Sequence, residues 1–310
     1  MSTLRNAIEE YIALRRQLGF KLTEPQRWLR EFAAFMEEHG APFITTDLAL
    51  QWASRPHRVQ PLRWGQRLMA VRCFARYHCA TDPRTQIPPS DLLPSRPRRA
   101  RPYLYSEQDI ERLLVAARGL RPAGGLRGFT YVALLGLLAV TGLRISEALT
   151  LTLQDVDLQQ GLLTIRKTKF GKTRLVPLHP SAKRALRQYA RQRRAFIAAR
   201  SAAHFFVSSQ GGSLSVGSVM KTFRFLRRRV GLHASEHCDD PTLHHFRHRF
   251  ATESLLRWYR AGEDVEQRLP VLSTFLGHVS ISSTYWYLSG HPELMGQAMR
   301  RLEHRWEKSP

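Results

Sequence analysis

Acidic residues, cysteines and long apolar runs are all scarce in this 310-residue chain, and each scarcity removes a class of explanation. Asp and Glu number 25 against 48 Lys and Arg, a formal net charge of +23, so the expected partner is a polyanion. The three cysteines, Cys73, Cys79 and Cys238, lack CxxC spacing, which argues against a disulfide scaffold or a zinc ribbon and fits a reducing compartment. The longest apolar run, Phe129 to Val140, falls far short of the roughly 20 residues that span a bilayer. The opening stretch MSTLRNAIEEYIALRRQLGF reads as an amphipathic helix with acidic residues, not as a signal peptide. A soluble, cytoplasmic protein with no membrane partner is expected, and no internal repeat of about 20 to 50 residues is present to suggest a solenoid.

What is there is a hydrophobic fraction of 43% with 24% charged residues, a globular balance over a length that suits two cores. Helical periodicity runs over 4–20, with Leu4, Ile8, Tyr11, Ile12 and Leu18 on one stripe, and over 26–39, with Trp28, Leu29, Phe32, Phe35 and Met36. Gly19 and Gly40 stand where helices end. Short and long helical patterns follow at Thr46 to Ala53 and Pro61 to His78. The stretch 83–102 then holds six prolines among arginines and is read as an extended hinge, solvated or lying along a phosphate backbone.

The second half opens with Ser106 and Asp109 spaced as a capping box ahead of a helix. Phe129 to Val140 is apolar nearly all round and predicts a buried helix, closed by Thr141-Gly142. Arg144 comes next and points either to solvent, paired with Glu147, or into a site. From Leu162 the period becomes alternating: LLTIRKTKFGKTRLVPL reads as a β-hairpin turning at Phe170-Gly171, with Lys169 at its lip. Helices are expected at 181–199 and 216–230. In DDPTLHHFRHRFATESLLRWY, Asp240 is a fair N-cap with Pro241 at the first helical position. That frame puts His244, Arg247, His248 and Ala251 on one face, an arrangement that repels itself unless an anion stands before it. Zinc is the rival explanation, with His237 and Cys238 nearby. It lacks the Glu of HExxH and a second cysteine.

LGHVSISSTYWYL, Leu276 to Leu288, adds His278 and two tyrosines, Tyr285 and Tyr287. A phenol is a poor nucleophile near neutral pH unless cations surround its target. Arg144, Lys169, His244, Arg247 and His278 supply them. Two guanidiniums can neutralise the nonbridging oxygens of a phosphodiester under attack, and a lysine can protonate the leaving alkoxide.

At TGLRISEAL, TKFGKTRLVPL, HHFRH with FAT, LGH and SISSTYWY, over residues 104–288, the chain strongly resembles the tyrosine recombinase (phage integrase) family. The resemblance implies a fold that is mainly α with a small antiparallel β-sheet: a helical core-binding domain at 1–95, a basic linker at 96–103, and an α+β catalytic domain at 104–310 ending in a helix. It implies that Arg144 and Arg247 clamp the phosphate, Lys169 protonates the 5′ oxygen, His244 assists proton transfer from the nucleophile, His278 hydrogen-bonds the phosphate and Glu147 orients the cations. The family's spacing from the LGH histidine selects Tyr287 over Tyr285. It further implies no cofactor and no metal, a C-shaped clamp on duplex DNA bearing a specific site, a Holliday-junction pathway, and a homotetramer on synapsed DNA, alone or with a partner recombinase, in the nucleoid. With no arm-binding domain ahead of residue 1, a minimal two-domain recombinase is expected. Residues 291–310 carry Leu294, Met295, Ala298, Met299 and Leu302 on one helical face, which in this family docks on a neighbouring protomer. A type IB topoisomerase or a telomere resolvase would use the same chemistry without exchanging partners. An architectural DNA-binding protein would share the charge but has no need of the tyrosine.

Overall fold

The computed structural model describes residues 4–57, 59–94, 102–166, 173–197, 202–234, 240–278, 280–289, 293–297 and 299–300. The chain divides into two compact units, Met1–Arg99 and Ala100–Pro310.

The first unit is four helices: α1 (Leu4–Gln17), α2 (Thr23–Glu38), α3 (Thr46–Ser54) and α4 (Pro61–His78). Their apolar stripes meet in one core around Ile8, Ile12, Phe32, Trp52, Val71 and Phe74. Gly40, at φ 58°, adopts the left-handed turn that lets Ala41 N reach back to Met36 O at 3.0 Å and close α2. The proline-rich stretch expected to be a free hinge from residue 83 is instead fastened to this unit for its first part. Gln86 N donates to Ile44 O at 2.8 Å, Thr46 N donates to the Gln86 side chain at 2.8 Å, and the buried Arg72 donates to Pro88 O at 2.6 Å and to Pro89 O. Proline carbonyls have no N–H beside them to enter a ladder, and a guanidinium satisfies two at once. Residues 96–101 of the expected linker lie outside the described residues.

The second unit begins with α5 (Glu107–Arg118), whose first turn carries the expected capping box: Asp109 N donates to Ser106 Oγ at 3.0 Å and Ser106 N to Asp109 Oδ2 at 3.0 Å. Next come α6 (Leu126–Thr141) and the short α7 (Ile145–Thr150). A three-stranded antiparallel sheet follows, β1 (Val156–Asp157), β2 (Leu162–Ile165) and β3 (Arg174–Pro177), in the order β1-β2-β3. The hairpin is there; its turn at Phe170-Gly171 lies outside the described residues. α8 (Pro180–Ile197), α9 (Val216–Arg229), α10 (Leu243–Arg260), α11 (Val265–Leu276) and α12 (Ser282–Ser289) complete the named elements, and 293–297 and 299–300 are helical. The apolar α6 is the centre of the unit, packed against α5, α8 and α10. It is not buried all round: Phe129, Val132, Gly136 and Val140 line a cleft of about 230 Å³ shared with α5 and α8. A second, smaller core holds α10, α11 and α12 together through Leu255, Leu269, Leu272, Leu276 and Tyr287, and Leu294 is buried in it.

Asp240 is not the cap of α10. The helix starts at Leu243 with Thr242 at the N-cap, whose N–H donates to His245 Nδ1 at 3.2 Å. Asp240 is engaged elsewhere, accepting from Arg227 Nη2 at 3.0 Å and from Ala234 N at 3.1 Å, so it ties α10's approach to α9. The shared face of His244, Arg247, His248 and Ala251 depends only on spacing and is unaffected.

Candidate active site

α6 ends in a left-handed glycine, Gly142 at φ 60°, and a Cβ there would lie 2.8 Å from the Phe250 ring. The chain leaves extended through Arg144, the N-cap of α7, and Glu147 returns its carboxylate to the Arg144 N–H at 3.0 Å. Arg144 satisfies both sequence alternatives at once. Its Nη1 donates to Glu147 Oε1 at 2.9 Å, and Nη1 and Nη2 reach Gly277 O at 3.3 and 3.2 Å, while the side chain stays 31% exposed.

Arg247 is the opposite case. Projecting from α10, it is 1% exposed, with Nη1 donating to Gly142 O at 2.9 Å and Nη2 to Leu276 O at 2.7 Å. Burial pushes its guanidinium down to about 10, which leaves it charged near neutral pH.

A third arginine, Arg174, was not singled out by the sequence. It grips both oxygens of Glu147, Nη1 to Oε1 at 3.1 Å and Nη2 to Oε2 at 2.8 Å, and its Nε donates to Phe275 O at 2.8 Å. A signal for it existed in the strand parity. Arg174 shares a face of β3 with the buried Val176, opposite the buried Ile165, whereas Leu175 between them is 60% exposed. An arginine on the core side of a strand needs an anion. Burial drives the Glu147 carboxyl up, but Arg174 and then Arg144 outweigh it and hold the group below its ordinary value.

The carbonyls of Phe275, Leu276 and Gly277, which end α11, therefore each receive a different arginine: Arg174, Arg247 and Arg144. The last carbonyls of a helix have no partner within it and carry the negative end of its dipole, so this terminus gathers cations from three elements. Gly277, at φ 68°, turns the chain immediately after, and His278 N closes the turn on Ser273 O at 2.9 Å.

His278 is thereby delivered beside the arginines. Its Nδ1 lies 2.8 Å from the hydroxyl of the buried Thr284, at the start of α12. Burial, then Arg247, Arg144, Arg174 and His244, lower it to about 4, so it is neutral near pH 7. α12 also separates the two tyrosines. Tyr287, three residues after Thr284, is on the same face and 5% exposed, near enough to Arg247 to favour its charged form, whereas Tyr285 is 51% exposed. The Tyr287 ring stacks on His278 at 5.9 Å and meets His248 edge-on at 5.2 Å. His248 in turn meets His244 at 4.8 Å. It stands between Tyr287 and His244, with its Nδ1 buried and without a hydrogen-bond partner among the described residues, and burial, followed by His244, His245, Arg247 and His278, lowers it to about 3. His244 reaches solvent; the packing around its ring, then Arg247, His245 and Arg144, also favour its neutral form. The self-repelling cationic face expected of α10 is thus relieved by neutral imidazoles around one charged Arg247.

Arg144, Glu147, His244, Arg247, His278 and Tyr287 are brought together, with Arg174 and His248 added. Lys169 lies outside the described residues; the strands that flank it end at Ile165 and begin at Arg174. Among the described residues no group of three His, Cys, Asp or Glu is placed to hold a metal ion, and His237 and Cys238 lie outside them.

The profile of the Phage integrase family matches residues 104–293. The chain belongs to the phage integrase family. The recombinase is 55% identical over 311 residues to the putative integrase/recombinase y4rB of Sinorhizobium fredii (strain NBRC 101917 / NGR234), covering 99% of each chain. It is 33% identical over 222 residues to the tyrosine recombinase XerD of Mycobacterium tuberculosis (strain CDC 1551 / Oshkosh), covering 71% of this chain and 67% of that protein. With these relatives it is a tyrosine-type site-specific recombinase. Its fold is shared with the Tn1549 transposon integrase in complex with transposon right end DNA, at TM-score 0.66 and 17% identity over 97% of this chain and 99% of that one. It is also shared with a lambda integrase tetramer bound to a Holliday junction, at TM-score 0.64 and 18% identity over 92% and 77%.

Proposed function

We propose that this recombinase cuts duplex DNA at a specific site by attack of Tyr287 on the scissile phosphodiester and rejoins it to a partner duplex. The observation that carries this reading is the Tyr287 ring stacked on His278 near Arg247, with Arg144 held at Gly277, the residue before His278, and Tyr285 turned to solvent. In the step, the Tyr287 oxygen forms a bond to phosphorus and the bond to the 5′ oxygen breaks, leaving a 3′-phosphotyrosyl link. The phenolic proton leaves towards the neutral histidines of α10, with His244 at the solvent end, and the 5′ oxygen takes a proton from Lys169. Arg144 and Arg247 hold the charge that gathers on the nonbridging oxygens, and neutral His278 donates a hydrogen bond to one of them. Every charge is met by a side chain, so the reaction needs no cofactor. The reading extends to exchange of two strand pairs through a Holliday junction, on a tetramer of this chain synapsing two sites, and is supported by the lambda integrase tetramer bound to a Holliday junction that shares the fold.

Covalent capture tests it. Purified protein is mixed with a library of duplexes, protein-linked DNA is recovered under denaturing conditions and the attachment points are sequenced. Adducts at one recurrent junction, each through a 3′-phosphate, are expected. Adducts scattered without a common sequence, adducts at 5′-phosphates, or no adducts at all would refute the proposal.

A further inference from the structure

We propose that Arg174 is a positioning residue of the recombinase site, one that neutralises Glu147 so that the charge of Arg144 remains available to the scissile phosphate. The inference rests on the reading above. Its ground is the saturation of one carboxylate. Glu147, 7% exposed at its side chain, accepts two donors at each oxygen: Arg144 Nη1 and Arg174 Nη1 on Oε1, and Arg144 N and Arg174 Nη2 on Oε2. Arg174 is itself 8% exposed and presents its fork to the carboxylate, a geometry lysine cannot reproduce. Arg144 makes its shorter side-chain bond to Glu147 and two longer ones, at 3.2 and 3.3 Å, to Gly277 O, and it keeps a solvent-facing edge.

The charge balance of this cluster is informative. Two arginines share one carboxylate, which leaves one surplus positive charge beside the place the phosphate must occupy. Without Arg174, the buried carboxylate would be left to Arg144, the other arginine hydrogen-bonded to it among the described residues, and the Arg144–Glu147 pair would be neutral as a whole. Arg174 also fixes position. Its Nε holds Phe275 O, two residues ahead of the Gly277 turn that presents His278, and its fork occupies the space above Gly277 so fully that a Cβ there would stand 2.5 Å from Nη1. One residue of β3, next to the hairpin segment that carries Lys169, is thus bound to the carboxylate behind Arg144 and to the turn before His278.

The test uses the full chain and the junction duplex recovered by covalent capture, and follows single-turnover adduct formation. Arg174→Gln is expected to bind the duplex within about threefold of the unaltered chain and to form adduct about 100-fold more slowly, the scale of loss that a misplaced reacting group brings. The double variant Arg174→Gln with Glu147→Gln removes the uncompensated carboxylate and is expected to regain at least about tenfold of that loss. A packing role alone gives the reverse, a double variant slower than either single one. Wild-type rates in Arg174→Gln, or a double variant no faster than Arg174→Gln, would overturn the assignment. Should Arg174→Gln fail to fold around its buried carboxylate, the double variant decides: cleavage within about tenfold of the unaltered chain supports the inference, and cleavage about 100-fold slower refutes it. If the unaltered chain itself forms no adduct, it is the recombinase reading that has failed, and Arg174 has no reaction to serve.

Discussion

Tyr285 and Tyr287 are two residues apart on one helix, and helical phase gives them opposite surroundings: Tyr287 lies among His248, His278 and Arg247, and Tyr285 at 51% exposure lies in solvent. Tyr287→Phe is therefore expected to bind DNA as the unaltered chain does while forming no covalent adduct, and Tyr285→Phe to keep adduct formation. An adduct formed by Tyr287→Phe, seen by gel shift under denaturing conditions, would move the nucleophile elsewhere. The two imidazoles beside Tyr287 make a second, separable prediction. In the unfolded chain each binds a proton below its ordinary value of 6.5, but in the folded chain His278 does so only near 4 and His248 near 3. The unfolded state thus holds more protons across that window, so stability is full above about 6.5 and falls as the pH drops towards 4. Melting temperatures taken without DNA should show this decline before the carboxylates titrate, and His248→Gln should flatten it. A profile that is level from pH 7 to 5 would contradict it.

At the scale of elements, much was written in the sequence because the signals are local. Pro61 begins α4 and His78 ends it as the periodicity indicated, and the Ser106–Asp109 box closes on itself as its spacing required. The features that escaped are set by partners distant in sequence. Asp240 has the chemistry of a cap, but Arg227 claims it; Arg174 reads as one more basic residue of the hairpin until Glu147 and Phe275 are seen around it. β1, at two residues, is too short for any alternation to show. The same limit applies to the C-terminal segment. The apolar face expected to dock on a neighbour is already divided: Leu294 is 1% exposed inside this unit's own smaller core, and Glu293 pairs with Arg260 at 2.5 Å, while Met295 and Met299 stand 50% and 57% exposed. Leu294→Ala is accordingly expected to destabilise the isolated chain by about 2–4 kcal/mol, and Met299→Ser to leave its melting unchanged. Equal melting for Leu294→Ala and the unaltered chain would show that this contact adds nothing to the unit.

At the scale of the whole molecule, the surplus of 48 basic over 25 acidic residues remains after ion pairing. The first unit matches many of its acids to arginines, Arg5 to Glu37, Arg30 to Glu9 and Arg63 to Glu24, and these exposed pairs hold little energy but cancel charge locally. What is left is a net charge of +23, and a chain of this kind should bind nonspecific duplex with an affinity that falls steeply on a log–log plot against salt, each neutralised phosphate releasing counterions. A flat salt response in a titration at several ionic strengths would mean that the positive surface does not face DNA. A basic chain of the phage integrase family was legible from composition and motif order. How the guanidiniums avoid repelling one another was not, because the answer is a single carboxylate and the carbonyls that end one helix.

Gly277 has a consequence for any genetic survey of this recombinase. It has no side chain to offer substrate, yet its φ of 68° strains any replacement, and a Cβ there would stand 2.5 Å from the Arg174 guanidinium and have to displace it. Gly142, whose Cβ would collide with Phe250, is constrained in the same way at the end of another helix. A screen scored only on loss of recombination would rank these two positions beside Arg247 and Tyr287. Their intolerance would report backbone conformation and volume, not chemistry: Arg174 fills the space beside one of them and Phe250 the space beside the other.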